Sequence, residues 1–341
     1  MALAVAAVAG ALASGCGTLK TRDDLNREAP PAPSAPKPAV ETAPLAPPLA
    51  IPAPVIAPAP GVGQVRPVPA PPSPETPAFL KNEPPRVGLI LGAGGMKAFA
   101  HVGVLKEFAR ARIPVAAIAG LEWGAAMAGI YALQGQANEV EWKSLRLRES
   151  ELPESSFLSG HPKAQPIAIL RDFLDVAFAR ATLERNRVEF GCPAYSPKSE
   201  KLLWLNRGSA RDAIARCLAY PPFYLDAGGW VASPFAIEEA AAFLRSRGAN
   251  FIIFVNPLAH GEMLPERAAS DDVGADLGTS VLWSEIRRHA NRPQIAGVNV
   301  TISINLAGYP ITDFASRRQL MDLGAKASSD LVTKLAAKYG F

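Results

Sequence analysis

The segment RVGLILGAGGMKA, from Arg86 to Ala98, decides the fold. Its first six residues form an apolar run between a proline and a glycine, which predicts a short buried strand. A glycine-rich stretch from Gly92 to Ala98 follows, and apolar residues then recur at helical spacing as far as Pro114. A strand, a glycine-rich loop and a helix in this order bring backbone N–H groups together at a helix N-terminus, where they bind an anion or a developing oxyanion.

A second strand and a tight turn come next. The apolar run Val115–Ala119 leads into GLEWG, from Gly120 to Gly124, and then into a helix of small residues. This arrangement is typical of a nucleophile elbow, G-x-S-x-G, in which the central side chain projects over the helix N-terminus. A dinucleotide fingerprint, G-x-G-x-x-G, is disfavoured because Ala98 stands at its sixth position and no acidic residue closes the second strand.

Strands and helices alternate through the rest of the chain, which predicts an α/β fold whose mostly parallel sheet has helices on both faces. The further predicted strands are Val188–Ala194, Lys201–Leu205, Phe251–Val255 and Val298–Ile304. The further predicted helices are Ala210–Tyr220, Phe235–Arg247 and Phe314–Tyr339.

Composition excludes several classes of protein. The chain has 341 residues, and beyond its N-terminus no apolar run approaches the roughly 20 residues of a membrane span. Three cysteines are too few for a disulfide scaffold, and a net charge of +4 with interspersed signs gives no support for nucleic-acid binding. The four histidines (His101, His161, His260 and His289) show no close spacing, so neither a metal site nor a cofactor is expected.

The N-terminal quarter of the sequence resembles a targeting signal followed by a spacer. Residues 1–15 are apolar and small, as in a signal peptide. The tetrad from Ala13 to Cys16 resembles the lipobox of bacterial lipoproteins, which implies lipidation of Cys16, and Gly17 after it favours the outer membrane. Of the 33 prolines, 20 lie between positions 30 and 85, so residues 16–85 are predicted to be an extended linker. The expected location is the cell envelope, with the folded domain facing the periplasm.

The folded part, residues 86–341, resembles the patatin-like phospholipase family, especially its bacterial members. The family's oxyanion motif, G-x-G-G-x-[RK]-G, stands here as Gly92–Ala98, and its elbow as Gly120–Gly124. The D-G-[GA] motif that carries the family's catalytic Asp is matched by Asp226–Gly228. The resemblance implies a patatin-like three-layer α/β sandwich, a lipid or acyl-ester ligand, and acyl hydrolysis by a Ser–Asp dyad.

The resemblance to the family implies roles for individual residues of this sequence. The resemblance implies that Asp226 is the dyad base and that Gly120 and Gly124 permit the elbow. The expected oxyanion hole is formed by five residues of the glycine-rich loop: Gly92, Gly94, Gly95, Met96 and Lys97.

The pattern breaks at the nucleophile, because Glu122 stands where the family has serine. Without that hydroxyl the acylation step cannot occur. Three roles are open for Glu122: an ion pair with Lys97 that plugs a dead pocket, a carboxylate nucleophile, or acid–base work beside Asp226. For the whole protein, a purely structural role in the envelope is a further possibility. The first prediction is a membrane-anchored, catalytically impaired member retained for lipid binding or scaffolding. The alternative is an active lipid hydrolase with an unanticipated nucleophile and Asp226 as base.

Other residues admit two interpretations each. His101 is expected to be a packed or capping histidine rather than a general base. Cys192 and Cys217 either pair in an oxidising compartment or remain buried thiols. Trp123 either fills the mouth of the site or packs against the following helix, and Gly278–Ser280 is expected to cap a helix that begins near Val281.

Overall fold

The computed structural model describes residues 84–153, 164–221, 223–260 and 273–341. These ranges contain the following strands: β1 (Val87–Leu91), β2 (Val115–Gly120), β3 (Glu189–Ser196), β4 (Lys201–Leu205), β5 (Val231–Ala232), β6 (Phe251–His260) and β7 (Val300–Asn305). They also contain the helices α1 (Ala100–Arg110), α2 (Trp123–Gln134), α3 (Ala137–Ser144), α4 (Arg171–Phe178), α5 (Ala210–Leu218), α6 (Ile237–Ser246), α7 (Val273–Ala290) and α8 (Arg317–Tyr339). The predicted leader, Cys16 and the linker up to residue 83 lie outside the described residues.

The strands form one mostly parallel sheet in the order β4-β3-β2-β1-β6-β7. The four pairings that join β3, β2, β1, β6 and β7 in turn are parallel, whereas β4 and β5 pair with β3 antiparallel. Parallel neighbours require crossover connections, and the helices supply them. The α/β class and the mostly parallel sheet predicted from the sequence are confirmed.

Both faces of the sheet are covered. Every residue of β1 is buried, although its side chains point alternately to opposite faces. Helix α6 packs on β1, β2 and β3, and Phe243 and Leu244 of that helix close over Gly191 and Gly88 of the strands. The fold is therefore the predicted sandwich of helices, sheet and helices.

Helices α1 and α8 cross in close contact. A Cβ at Gly103 of α1 would collide with the Met321 carbonyl oxygen, and one at Gly324 of α8 would collide with the Ala100 carbonyl oxygen. The two glycines let the helix backbones touch, and this contact fixes the glycine-rich loop at the N-terminal end of α1. No helix within the described ranges combines the length and hydropathy of a membrane span.

The sequence prediction misses several elements. Helices α3 and α4 and the short 3₁₀ turn Ile167–Leu170 were not predicted. The predicted cap at Gly278–Ser280 is wrong, because these residues lie inside α7, which begins at Val273. The remaining predicted strands and helices are present, with ends shifted by a few residues.

Candidate functional site

The elbow between β2 and α2 has the backbone geometry of a nucleophile turn. Glu122 has φ 51° and ψ −127°, a left-handed conformation that L residues rarely adopt. A Cβ at Gly120 would collide with the Gly124 carbonyl, and a Cβ at Gly124 would collide with the Leu91 carbonyl. The two flanking glycines are therefore required by close approach, and the strain at Glu122 is the kind that functional sites retain.

Three of the five N–H groups expected in the oxyanion hole are used elsewhere in the fold. Gly92 N–H donates to the Val255 carbonyl at 3.0 Å, and Met96 N–H donates to the Ile311 carbonyl at 2.7 Å. Lys97 N–H donates within the loop, to the Gly94 carbonyl at 3.1 Å. These bonds attach the loop to β6 and to the segment before α8.

The other two N–H groups point at Glu122. Its Oε2 accepts hydrogen bonds from Gly94 N–H at 3.1 Å and from Gly95 N–H at 2.9 Å. These distances match those at which paired donors hold an oxyanion. The side chain at the nucleophile position thus folds back and places its own carboxylate oxygen on the donors of the glycine-rich loop.

The side chains packed around Glu122 enclose it on all sides, and we call these buried surroundings the Glu122 chamber. Its side chain is fully buried, and its Oε1 has no hydrogen-bond partner among the described residues. Burial raises the pKa of Glu122 to about 7. The N–H groups of Trp123, Gly95 and Gly94 act in the opposite direction, because they favour the charged form. Burial, together with the Glu122 charge, also raises the pKa values of Tyr220 and Tyr224.

Trp123 is packed beside Glu122, against aromatic side chains from other parts of the chain, and its place at the mouth of the site stays a prediction. Its ring is fully buried, with centroids 5.9 Å from that of Phe173 and 6.2 Å from that of Tyr224. The Tyr224 hydroxyl donates to the Glu151 carbonyl at 3.2 Å. Sequence reasoning gave Tyr220 and Tyr224 no role, and the one available signal was their position just before the Asp226 motif.

The expected ion pair between Glu122 and Lys97 is wrong. Both oxygens of Glu122 are accounted for within the described ranges, one on two backbone N–H groups and one without a partner. Lys97 is also fully buried, and its pKa falls to about 8 through burial and the nearby Arg287 charge. The backbone, rather than the lysine, holds the carboxylate.

His101 is a packed residue that supports the glycine-rich loop. It is fully buried on α1, and its Nε2 lies 2.8 Å from the Gly92 carbonyl oxygen. Burial lowers its pKa to about 4, so the ring is neutral at physiological pH. A neutral ring donates from Nε2 to that carbonyl and positions the loop, as expected for a packed histidine.

Asp226 has a different environment from Glu122. Its side chain is exposed, and its carboxylate accepts from Gly229 N–H at 2.6 Å within its own turn. Glu122 has no hydrogen bond to it in the part of the chain that the structure describes. The role of Asp226 as dyad base stays a prediction.

The two cysteines that the sequence left open are paired. Cys192 of β3 and Cys217 of α5 form a disulfide, with their Cα atoms 6.3 Å apart. The bond fastens the end of α5, and therefore the start of the segment that carries Tyr220 and Asp226, to the sheet.

The chemistry available to this arrangement follows from its donors and acceptors. Two N–H groups form the kind of anion site that stabilises acyl-transfer intermediates, and the carboxylate of Glu122 occupies it. No group of three or more His, Cys, Asp or Glu side chains suited to a metal ion occurs within the described residues.

Comparison with known proteins shows which family this chain is similar to. Residues 89–244 match the family described as patatin-like phospholipase. The chain is 28% identical over 215 residues to Uncharacterized NTE family protein Mb1092c of Mycobacterium bovis, covering 59% of this chain and 57% of that protein. It is 50% identical over 221 residues to Lysophospholipase nte1 of Emericella nidulans, covering 59% of this chain and 13% of that protein.

Among solved structures, VipD from Legionella pneumophila aligns with a TM-score of 0.44 and 11% identity, over 76% of this chain and 68% of that chain. The chain spans little more than half the length of its mycobacterial relative, at 57%. Residues 89–244 of the chain are thus similar to a patatin-like phospholipase domain.

Proposed function

We propose that this chain, which is similar to a patatin-like phospholipase domain over residues 89–244, binds lipid without hydrolysing it. One observation carries the proposal: the Glu122 carboxylate sits on the N–H groups of Gly94 and Gly95. A substrate carbonyl would have to displace that carboxylate before it could use the same donors. The charged form of Glu122 would also repel an oxyanion developing beside it.

Loss of the serine nucleophile also argues against hydrolysis. Removing the serine of a serine hydrolase costs on the order of 10⁶ in kcat. The hole that would supply the residual catalysis is filled by Glu122. Both elements of the acylation step are therefore missing at position 122.

The ligand class is proposed from the relatives. The family is named for phospholipases, and the Emericella relative is named a lysophospholipase. A protein that keeps this fold and loses its nucleophile can still bind an acyl chain or a phospholipid. Mass spectrometry of lipids that co-purify with the full chain would test this, and an empty protein would favour a purely structural role in the envelope.

We also propose a membrane anchor at Cys16, with the domain facing the periplasm on a proline-rich stalk and the outer membrane favoured. The support is the sequence of residues 1–85 alone. Metabolic labelling with a radioactive fatty acid would test the anchor, since Cys16→Ser should abolish the label. Separation of inner and outer membranes would test the location.

Hydrolysis of p-nitrophenyl butyrate by the full chain tests the loss of activity. The wild type should release no more nitrophenol than Glu122→Ala, and Asp226→Ala should change nothing. Turnover by the wild type that disappears in Asp226→Ala would overturn the proposal. It would favour the alternative, an active hydrolase with another nucleophile and Asp226 as base.

A further inference from the structure

Two buried polar atoms at the elbow have no hydrogen-bond partner. They are Oε1 of Glu122 and Nε1 of Trp123, and neither forms a hydrogen bond with any residue that the structure describes. Both side chains adjoin Tyr224, because its ring centroid lies 6.2 Å from that of Trp123, and burial together with the Glu122 charge raises its pKa. A buried polar atom without a hydrogen bond is costly, so these two atoms indicate a position that a ligand would satisfy.

The two atoms have opposite hydrogen-bonding roles. The oxygen of an ionised Glu122 accepts, and the indole Nε1–H group of Trp123 only donates. A hydroxyl group both donates and accepts, whereas an ammonium group has no acceptor and an ionised carboxylate has no donor. Of these three head groups, only a hydroxyl can form hydrogen bonds with both atoms.

The donors that would hold an anionic head group are already in use. The N–H groups of Gly94 and Gly95 both donate to Oε2 of Glu122, at 3.1 and 2.9 Å. The other N–H groups expected in the oxyanion hole donate to backbone carbonyls; they belong to Gly92, Met96 and Lys97. A fatty-acid carboxylate or a phosphate would therefore have to displace the Glu122 side chain before it could bind the loop.

The charges around the Glu122 chamber also disfavour an anion. After burial, the two causes that raise the pKa of Tyr224 are both carboxylates, those of Glu122 and Glu151. The pKa of Lys97, the cation of the glycine-rich loop, responds to burial and to the Arg287 charge rather than to Glu122. A second anion beside the Tyr224 ring would meet like charge, and a cation would have to give up its hydration in a fully buried position. A neutral head group avoids both costs.

One wall of the Glu122 chamber belongs to a surface segment, residues 223–230. The Phe223 ring covers the glycine-rich loop so closely that a Cβ at Gly95 would lie 2.7 Å from it. Tyr224 is fully buried, but the next residue along the chain, Leu225, is half exposed. Movement of this segment would admit an acyl chain between aromatic rings, beside the two unpartnered atoms.

We propose that the Glu122 chamber binds a neutral lipid with a hydroxyl head group, such as a monoacylglycerol, with Glu122 Oε1 accepting from the head group and Trp123 Nε1 donating to it. Glu122 then determines specificity, because its other oxygen keeps anionic lipids from the N–H groups of Gly94 and Gly95. The inference deepens the lipid-binding part of the proposed function and rests on it. It adds the chemical class of the head group and the atoms that bind it.

Equilibrium dialysis with three amphiphiles of equal chain length tests the proposal. The probes are monodecanoylglycerol, decanoate and decylammonium, and the full chain carries Cys16→Ser so that no acyl anchor competes with them. We expect monodecanoylglycerol to bind about tenfold or more tightly than either ion, because each ion leaves a buried polar atom without a partner. Equal binding of the three probes, or a preference for either ion, would overturn the proposal.

Two variants of Glu122 separate occupation of the donors from charge. Glu122→Ala frees the N–H groups of Gly94 and Gly95, so the affinity for decanoate should rise about tenfold or more relative to that for monodecanoylglycerol. Glu122→Gln keeps an oxygen on the same N–H groups without a charge, and it should still exclude decanoate. A gain of decanoate binding in Glu122→Gln, or no gain in Glu122→Ala, would overturn the role given to Glu122.

Matched controls exist for both residues that bind the head group. Glu200→Ala also replaces a glutamate with left-handed φ, at 55°, but Glu200 is exposed in the turn between β3 and β4, so the binding of all three probes should not change. Trp123→Phe removes Nε1 and should weaken the binding of monodecanoylglycerol several-fold. Trp142→Phe, at an exposed tryptophan, should not. Equal effects in the variants and their controls would overturn the proposal.

Failure of this inference is distinguishable from failure of the proposed function. Equal binding of the three probes overturns the hydroxyl specificity and leaves lipid binding in place. If none of the probes binds, the inference is overturned, and lipid binding is overturned with it when no lipid co-purifies with the protein. Release of decanoate from monodecanoylglycerol would overturn the proposed inactivity, and the ether analogue of the same lipid would then measure the specificity by itself.

Discussion

The backbone at Glu122 has the conformation of a nucleophile elbow, but its side chain accepts hydrogen bonds from the N–H groups of Gly94 and Gly95. The strained φ of 51° and the two flanking glycines are those that a serine at this position would require. The sequence predicted this turn because the spacing of Gly120 and Gly124 is a local pattern, although the need for Gly124 comes from the close approach of Leu91 in β1. It did not predict the partner of the carboxylate, because that depends on which loop N–H groups the rest of the fold has already used.

Glu122→Ser should reopen the oxyanion site. A serine side chain is too short to reach the N–H groups of Gly94 and Gly95, so both donors become available to a ligand. We expect an alkyl fluorophosphonate to label Glu122→Ser covalently at that serine, with its phosphoryl oxygen on the two freed N–H groups. Intact-protein mass spectrometry would measure the added phosphonyl group.

Wild type and Glu122→Ala serve as controls for this labelling, since neither has a hydroxyl at the elbow. If Asp226 acts as the base, Asp226→Ala in the Glu122→Ser background should slow the labelling. An equal mass increase in the wild type would show that another nucleophile is present and would contradict the interpretation of position 122.

Burial of Glu122 predicts a pH dependence of stability. The pKa of this carboxyl is about 7 in the folded chain and 4.5 for an ordinary glutamate. Between these values the folded state binds more protons than the unfolded state, so stability falls as the pH rises from about 4.5 to about 7. Relative to Glu122→Gln, the wild type should lose on the order of 3 kcal/mol of unfolding free energy across this window.

Chemical denaturation at several pH values would measure the difference between the two proteins. In the Glu122→Gln variant the amide retains an oxygen for Gly94 and Gly95 but does not titrate. His101 has the opposite effect, because its folded pKa of about 4 lies below the ordinary 6.5, and stability then rises with pH. Since both proteins contain His101, its contribution cancels. Parallel curves for the two proteins would contradict the burial of a titrating carboxyl.

At the scale of elements, the glycine-rich loop is positioned by the packing of two helices. Gly103 of α1 and Gly324 of α8 lie at the point where these two helices cross. Their contact, which brings the backbones of α1 and α8 together, could not be predicted, because 221 positions separate them and no local pattern encodes the crossing.

Gly324→Ala should separate α1 from α8 and destabilise the fold by about 2–3 kcal/mol, the usual cost of overpacking. The matched control is Gly278→Ala, because Gly278 is also helical but a Cβ there would have no atom within 4 Å. That control should be neutral or slightly stabilising, since alanine favours a helix over glycine. Thermal or denaturant unfolding would measure both, and a smaller effect at Gly324 than at Gly278 would contradict the crossing.

Across the whole molecule, the strands and helices that the sequence predicts are those whose apolar residues follow a regular spacing or a continuous run. The runs that became β1, β2 and β6 are buried strands, as short apolar stretches flanked by glycine or proline predict, whereas β4 is a largely exposed edge strand. Helices α3 and α4 were missed because α3 has few apolar residues and α4 is only eight residues long. The opposite exposures of Glu122 and Asp226 could not be predicted either, because burial depends on neighbours that are distant in the chain.

The disulfide acts at the scale of the whole molecule, because it joins β3 to α5 through two cysteines that are 25 positions apart in the chain. Cross-linking limits the conformations of the unfolded chain, and for a loop of this length it stabilises the fold by about 3 kcal/mol. Cys192→Ser/Cys217→Ser should therefore unfold at lower denaturant concentration than the oxidised wild type. Treatment of the wild type with a reductant, in enough denaturant to expose the buried bond, should shift its transition towards that of the double variant.

Because α5 leads directly into the segment with Tyr220 and Asp226, the same double variant should also expose the Glu122 chamber, seen as faster amide exchange of residues 219–230. Unchanged exchange there, despite lower stability, would show that packing alone holds this segment against the chamber.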